Sequence, residues 1–216
     1  MQPHRVVIIA NGELGDPAYY RTLLGNDDFI ICVNGGSRHA LALDVQPHLL
    51  IGDLDSLSGE EREKISAYNP QILEYPVAKD KSDLELAIDY AVQLAPSDII
   101  IIGALGGNRL DHALINLFLL KLPLQKKIPA AIIDERQEIR LADGNLRMKG
   151  NLGDYLSIFA LSHTVKNVFT KGLKYSLTGE DLHFGSSRGL SNQFIDFEAR
   201  VKFASGLLIA IRTVFC

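Results

Sequence analysis

Along the first half of the chain, short runs of apolar and mostly β-branched residues alternate with stretches whose apolar positions recur three and four apart. Residues 5–10 form the first run and end in Asn11-Gly12; residues 29–33 form the second and end in Asn34-Gly35-Gly36-Ser37. Further runs occupy residues 47–51, 72–75 and 99–102. Runs of this length, bounded by Gly, Pro, Asn and Asp, predict buried strands. Between them, residues 38–43 predict a helix, and residues 60–68 a polar, solvent-facing one. Leu84, Ala87, Ile88, Ala91 and Leu94 predict a helix from about residue 83 to residue 95, stopped by Pro96. Ser82 and Glu85 have capping-box spacing at its start. Residues 111–121 predict another helix, closed by Pro123. Strands alternating with helices argue for an α/β domain with a mostly parallel sheet.

After about Asp134 the pattern changes. Strand candidates follow one another closely, at residues 139–141, 146–148, 155–160, 165–169, 182–184, 194–203 and 207–213. Asp143-Gly144-Asn145 and Thr178-Gly179-Glu180 read as separators between them. Val201 and Phe203 alternate with Lys202 and Ala204, the pattern of a half-buried strand. Short strands at close spacing predict an all-β, sandwich-like domain. The division expected is residues 1–136 and 137–216, with the linker near Gln137. No internal repeat or low-complexity segment interrupts either part.

Composition narrows the class. The chain has 216 residues, 47% hydrophobic and 22% charged, as in an ordinary globular protein. Its net charge of −4 argues against a broad nucleic-acid surface, so an anionic substrate must be met by local cations. The apolar runs are strand-length and predict no membrane span. The first ten residues lack the apolar core of a secretion signal and read as a strand. The two cysteines, Cys32 and Cys216, make no disulfide framework and no zinc knuckle, which fits a reducing, cytoplasmic location.

Candidate chemistry gathers where strands end. Gly52-Asp53-Leu54-Asp55-Ser56 puts two carboxylates two apart, on one side of an extended segment. Such a pair repels unless a cation or donor lies between, and Mg²⁺ is the natural occupant; a polar turn is the other reading. Asn34-Gly35-Gly36 allows close backbone approach to a ligand before a helix start. In Lys79-Asp80-Lys81-Ser82-Asp83, Ser82 and Asp83 suit a helix N-terminus, while the interleaved lysines suit a metal–phosphate site. Gly106-Gly107-Asn108-Arg109-Leu110-Asp111-His112 again leads from a strand through glycines into a helix. Arg109 can fork onto phosphate oxygens, and Asp111 can cap the helix or position a metal. His112 shares a helical face with Asn116 and is either a helix-start histidine or a catalytic one. Ligands of open α/β sheets bind at the carboxyl ends of strands, so these three clusters are expected to converge.

Together these stretches resemble thiamine pyrophosphokinases over nearly the whole chain, and in order. Asn34-Gly35-Gly36 is similar to the family's Asp-Gly-Gly loop, and Gly52-Asp53-Leu54-Asp55-Ser56 to its Gly-Asp-x-Asp-Ser. Asp80-Lys81-Ser82-Asp83 resembles its Asp-x-Thr-Asp, and residues 106–112 its Gly-Gly-Arg-x-Asp-His with one residue inserted. Gly172-Leu173-Lys174-Tyr175 and Ser191-Asn192 resemble motifs of its second half. The resemblance implies transfer of pyrophosphate from ATP to the hydroxyethyl oxygen of thiamine, on an α/β domain followed by a β-sandwich. It implies Mg²⁺ held by Asp53, Asp55 and Asp83. The proton of the attacking hydroxyl needs an acceptor, for which Asp80 and Asp111 are the candidates. ATP contacts would come from Asn34, Gly35, Gly36, Lys79, Lys81, Ser82, Gly106, Gly107, Arg109, Asp111 and His112. Asp55, Ser191 and Asn192 would lie near thiamine. The first domain would be catalytic; the second would bind thiamine and form a homodimer with active sites between subunits.

The chain departs from the pattern in ways that bear on the acceptor alcohol more than on the reaction. Asn34 stands where the family has aspartate, Asn108 is inserted, Gln193 replaces a common glutamate, and there is no tryptophan. Three other readings compete: a pyrophosphokinase for another alcohol such as a hydroxymethyl pterin, a metal-dependent phosphohydrolase, and a nucleotide-binding module without catalysis.

Overall fold

A computed structural model describes residues 3–52, 57–76, 79–106 and 108–215. The chain divides into two compact units, Met1–Glu135 and Arg136–Cys216. Asp53, Asp55 and Gly107 lie outside the described residues.

The first unit is a parallel sheet with helices between its strands. In chain order it runs β1 (Arg5–Ile9), α1 (Pro17–Leu23), β2 (Phe29–Val33), α2 (Gly36–Leu43), β3 (Leu49–Gly52), α3 (Gly59–Ser66) and β4 (Gln71–Glu74). It continues with α4 (Asp83–Gln93), β5 (Asp98–Ile102), α5 (Leu110–Leu119), α6 (Lys121–Gln125) and β6 (Ala130–Ile133). The strands lie in the order β6-β5-β1-β2-β3-β4, and every pairing among them is parallel. The inner strands are covered on both faces: Val6 through Ile9 of β1 and Ile99 and Ile101 of β5 are fully buried, which is why they read as unbroken apolar runs. Cys32 of β2 is buried among them, and burial pushes its thiol pKa up, so it packs as a small hydrophobe.

Several local expectations need correction. Helix α1 has no counterpart in the hydrophobic pattern, yet its start is written in sequence: Asp16 accepts from the Ala18 amide at 2.8 Å, and Pro17 takes the first helical position. Helix α3 carries a reciprocal capping box between Ser58 and Glu61. The box expected at α4 is only half made. Ser82 accepts from the Glu85 amide, but the Glu85 carboxylate turns to Lys81 at 3.5 Å. Pro123 does not close α5, which stops at Leu119; it sits in the first turn of α6, where a missing N–H costs nothing. Strand β6 went unread because two of its four residues are alanine, a weak strand former.

The second unit is wholly antiparallel. Strands β7 (Gln137–Ala142), β9 (Tyr155–Ala160), β12 (Asn192–Gln193) and β14 (Leu208–Thr213) pair in the order β12-β9-β14-β7. Strands β8 (Leu146–Lys149), β10 (Thr164–Lys171), β11 (Thr178–His183) and β13 (Glu198–Lys202) pair as β11-β10-β13-β8. Both sheets contribute to one apolar cluster that includes Leu156, Ile158, Val165, Phe194, Val201 and Leu208. That is the sandwich logic of alternating inward residues. The single strand expected over residues 194–203 is broken. Ile195 and Phe197 are exposed, and the Asp196 carboxylate accepts from the Phe197 amide at 2.7 Å, turning the chain before β13. Gly179, expected in a separator, instead lies inside β11 at φ 121°, under the ring of Phe169. Among the described residues, no helix is long and apolar enough to cross a membrane.

Candidate functional site

The strand order of the first unit reverses at β1. The chain builds β2, β3 and β4 on one side of it, then crosses to β5 on the other. Ligands of such sheets bind at this switch point, beyond the carboxyl ends of the strands. A cleft of about 680 Å³ lies there.

Tight backbone stitching builds one wall. The Gly12 amide donates to the Gly103 carbonyl at 2.7 Å, and the Ala10 amide to the Ile102 carbonyl at 2.9 Å. A side chain on Gly12 would overlap the Gly103 carbonyl, and Gly103 itself has φ 67°. From α2, His39 donates its Nε2–H to the Gly12 carbonyl at 2.7 Å. Burial holds the pKa of His39 below the ordinary imidazole range, so it remains a neutral brace. From α5, the Asn116 side-chain amide donates to the Ala104 carbonyl at 2.8 Å. Asn11, Gly12, His39 and Gly103 escaped the sequence reading. Asn11-Gly12 after a buried strand was the available signal for the loop; nothing marked His39.

The opposite side is organised around Asp83, the first residue of α4. Its Oδ2 accepts from the Asn34 side-chain amide at 2.7 Å, and its Oδ1 lies 2.8 Å from Lys79 Nζ. Lys79 also donates to the Pro76 carbonyl at 2.9 Å. Asn34 can reach Asp83 because its backbone is left-handed, at φ 47°, and its carbonyl is bonded by the Ser37 hydroxyl at 2.9 Å. An aspartate in place of Asn34 would set two carboxylates against each other here; the amide makes the contact attractive.

Sequence-predicted residues gather in this cleft. Asn34, Lys79, Lys81, Ser82 and Asp83 line it from one side, and Gly106, Arg109, Asp111 and His112 from the other. Arg109 is forked onto Asp111, with Nε to Oδ1 at 2.9 Å and an Nη to Oδ2 at 2.7 Å. That bond holds the Asp111 carboxyl well below the usual carboxylate range. Both side chains are about two-thirds exposed, so the pair is open to exchange with an incoming anion. Lys81 is tied to Asp89 at 2.6 Å. Gly35 and Gly36 do not line the cleft. A Cβ on Gly36 would overlap the Ile9 carbonyl, and one on Gly35 the Asn11 side chain, so these glycines let α2 start against the end of β1. Asp80 is exposed and is not part of the lining.

The second-half motifs meet each other. Asn192 Oδ1 accepts from the Tyr175 amide at 2.9 Å, and its Nδ2 donates to the Tyr175 carbonyl at 2.6 Å. The Lys174 amide bonds the Gln193 carbonyl at 2.9 Å, and the Ser191 amide bonds the Ser157 hydroxyl at 3.0 Å. Asn192 thus pins the Gly172-to-Tyr175 loop onto β12.

As to cations, no cluster of three or more His, Cys, Asp or Glu occurs among the described residues. Asp83 nevertheless suits a hard cation: Oδ1 is buried, has no hydrogen bond of good geometry, and faces an ammonium.

Comparison with known proteins adds a lineage. A family model described as "Thiamin pyrophosphokinase, catalytic domain" matches residues 20–132, and one described as "Thiamin pyrophosphokinase, vitamin B1 binding domain" matches residues 139–208. A thiamine pyrophosphokinase of Bacillus subtilis is 32% identical over 185 residues, 85% of this chain and 86% of the relative. A crystal structure of the thiamine pyrophosphokinase from Bacillus subtilis superposes with a TM-score of 0.88 at 28% identity, covering 98% of this chain and all (100%) of that one. One from Geobacillus thermodenitrificans gives 0.85 at 29%, covering 98% of each chain.

Proposed function

The chain belongs to the thiamin pyrophosphokinase family, and on that premise we propose that it transfers a pyrophosphoryl group from ATP to thiamine. The thiamine hydroxyl oxygen attacks the β-phosphorus of ATP, and the bond from that phosphorus to the α,β-bridging oxygen breaks. Thiamine diphosphate and AMP leave, and the hydroxyl proton passes to a nearby carboxylate. Asp80 and Asp111 are the candidates; Asp111 lines the cleft and becomes available as a base once Arg109 leaves it for phosphate. The observation that carries the reading is a cleft at the sheet's switch point holding Asp83 between Lys79 and Asn34, with Arg109 on the other side. Phosphoryl transfer demands little covalent chemistry from a protein; it needs the reactants held in line and the phosphate charge met. Lys79, Lys81 and Arg109 supply positive charge locally within a chain of net charge −4.

Mg²⁺ is assigned as the cofactor, with Asp83, Asp53 and Asp55 as its ligands; when bound it neutralises phosphate oxygens. Asp55, Ser191 and Asn192 are assigned to thiamine. A homodimer is proposed through the second unit, whose Tyr175, Phe184, Leu190, Ile195 and Phe197 are each more than half exposed (65%, 68%, 57%, 60% and 63%). In it, one subunit's second unit would serve the other's site. A cytoplasmic location is in keeping with the sparse cysteines.

Substrate profiling tests the acceptor: thiamine should support AMP release, and a hydroxymethyl pterin should not. Arg109 gives a sharper test of phosphate contact. Lysine cannot reproduce a forked contact, and charge-assisted bonds contribute roughly 1.5–3 kcal/mol, on the order of tenfold to a hundredfold. Arg109→Lys should lower ATP-dependent turnover by about that factor and leave the melting temperature unchanged, since its side chain is 66% exposed. Turnover equal to wild type would remove Arg109 from the site.

A further inference from the structure

Lys79 and Asp83 form a contact of an unusual kind. The ammonium is 2.8 Å from Asp83 Oδ1, and both side chains are largely buried, at 16% and 19% exposure. Yet Oδ1 makes no hydrogen bond of good geometry, whereas Oδ2 is properly bonded by Asn34. Lys79 therefore acts on Oδ1 as a point charge and leaves the oxygen's directional capacity unused. Asp83 opens α4, so the same ammonium also sits beside the positive end of that helix, where a cation is disfavoured. Its other partner among the described residues is one carbonyl, that of Pro76. The flexible four-carbon stem of lysine allows it to change partners at small cost.

We propose that Lys79 is a positioning residue that holds the place of the divalent cation on Asp83 while the site is free of nucleotide. An ammonium 2.8 Å from Oδ1 repels a divalent cation approaching the same oxygen, so the metal binds Asp83 more tightly once Lys79 gives it up. Phosphate oxygens entering the cleft offer Lys79 another anionic partner. Metal and nucleotide then assist each other's binding, because each removes an obstacle to the other. The benefit is that Asp83, Asn34 and the start of α4 stay arranged before the substrates arrive, with no buried carboxylate left uncompensated. This inference rests on the reading of Asp83 as a cation ligand.

The test is Mn²⁺ binding to the nucleotide-free protein, followed by the electron paramagnetic resonance of free Mn²⁺. Lys79→Gln removes the charge but keeps a donor for the Pro76 carbonyl; Lys79→Met guards against the new amide acting as a ligand. Both variants should bind Mn²⁺ at least about tenfold more tightly than wild type, a difference of about 1.4 kcal/mol. Adding Asp83→Asn should abolish the gain in either background. The enhancement of Mn²⁺ affinity by a non-hydrolysable ATP analogue should also shrink in both lysine variants. Unchanged or weaker Mn²⁺ binding in both, with Asp83→Asn still abolishing binding, would overturn the place-holding role and leave Asp83 as a ligand. Mn²⁺ binding indifferent to Asp83→Asn would overturn both.

Discussion

Asp83→Asn should lower thiamine diphosphate formation at least a hundredfold at saturating ATP and Mg²⁺. The substitution keeps the size of the side chain and can keep the contact with Asn34, so it removes charge and little else. The lost charge is the one that Lys79 faces at 2.8 Å. Removing a preorganised electrostatic group from a phosphate- or oxyanion-stabilising site costs on the order of a hundredfold to a thousandfold in rate. A stability effect accompanies it, because Lys79 loses its partner and α4 loses an acid from its first turn. Together these cost roughly 1–3 kcal/mol, because the ammonium left without its partner is largely buried. For a chain this long, that is a fall of roughly 2–12 °C, at roughly 2–4 °C per kcal/mol. Turnover and melting measured on one sample separate the cases: near-normal turnover would remove Asp83 from the chemistry, and a collapse of melting would make it a structural cap.

Gly52→Ala should also be damaging, by a different route. Gly52 ends β3 with φ 132°, a conformation that side chains rarely adopt. A Cβ there would also overlap Asn34 Oδ1. Backbone strain of this kind costs on the order of 1–3 kcal/mol. Asn34 is the donor to Asp83, so relieving the overlap means withdrawing the amide from the carboxylate. The expected result is a melting temperature lower by roughly 2–12 °C, from 2–4 °C per kcal/mol, together with a turnover loss of at least tenfold. Wild-type melting with wild-type turnover would mean that the end of β3 and Asn34 are not coupled.

These two residues also mark the limit of the sequence reading. The inner strands of the first unit were legible because parallel strands covered on both faces must be apolar throughout, as Val6 through Ile9 are. Helix α4 was legible because one face, Leu84, Ala87, Ile88 and Ala91, is buried. Helix α1 was not: seven residues give too little periodicity, and only Asp16-Pro17 announces it. Candidate residues could be named from local grammar, a strand running into Gly and Asp. Their partners could not. Asn34 and Asp83 are 49 residues apart, and Gly12 and His39 are joined through a carbonyl, which no side-chain pattern records. Asn34 read as a departure from a family aspartate; in the structure its amide is what holds Asp83. The glycines Gly35 and Gly36 were read for ligand approach, and the structure instead sets them against β1 and Asn11. The reading of Asp53 and Asp55 lies outside the described residues.

The central claim is pyrophosphoryl transfer to thiamine, and product analysis tests it most directly. The purified chain is incubated with ATP and Mg²⁺, with and without thiamine, and nucleotides and thiamine species are separated by chromatography. The expected result is AMP and thiamine diphosphate in equal amounts, with neither formed when thiamine or the protein is omitted. Release of AMP or ADP at the same rate without thiamine would mean that water is the acceptor and would contradict the account, as would ADP with thiamine monophosphate in place of AMP with the diphosphate.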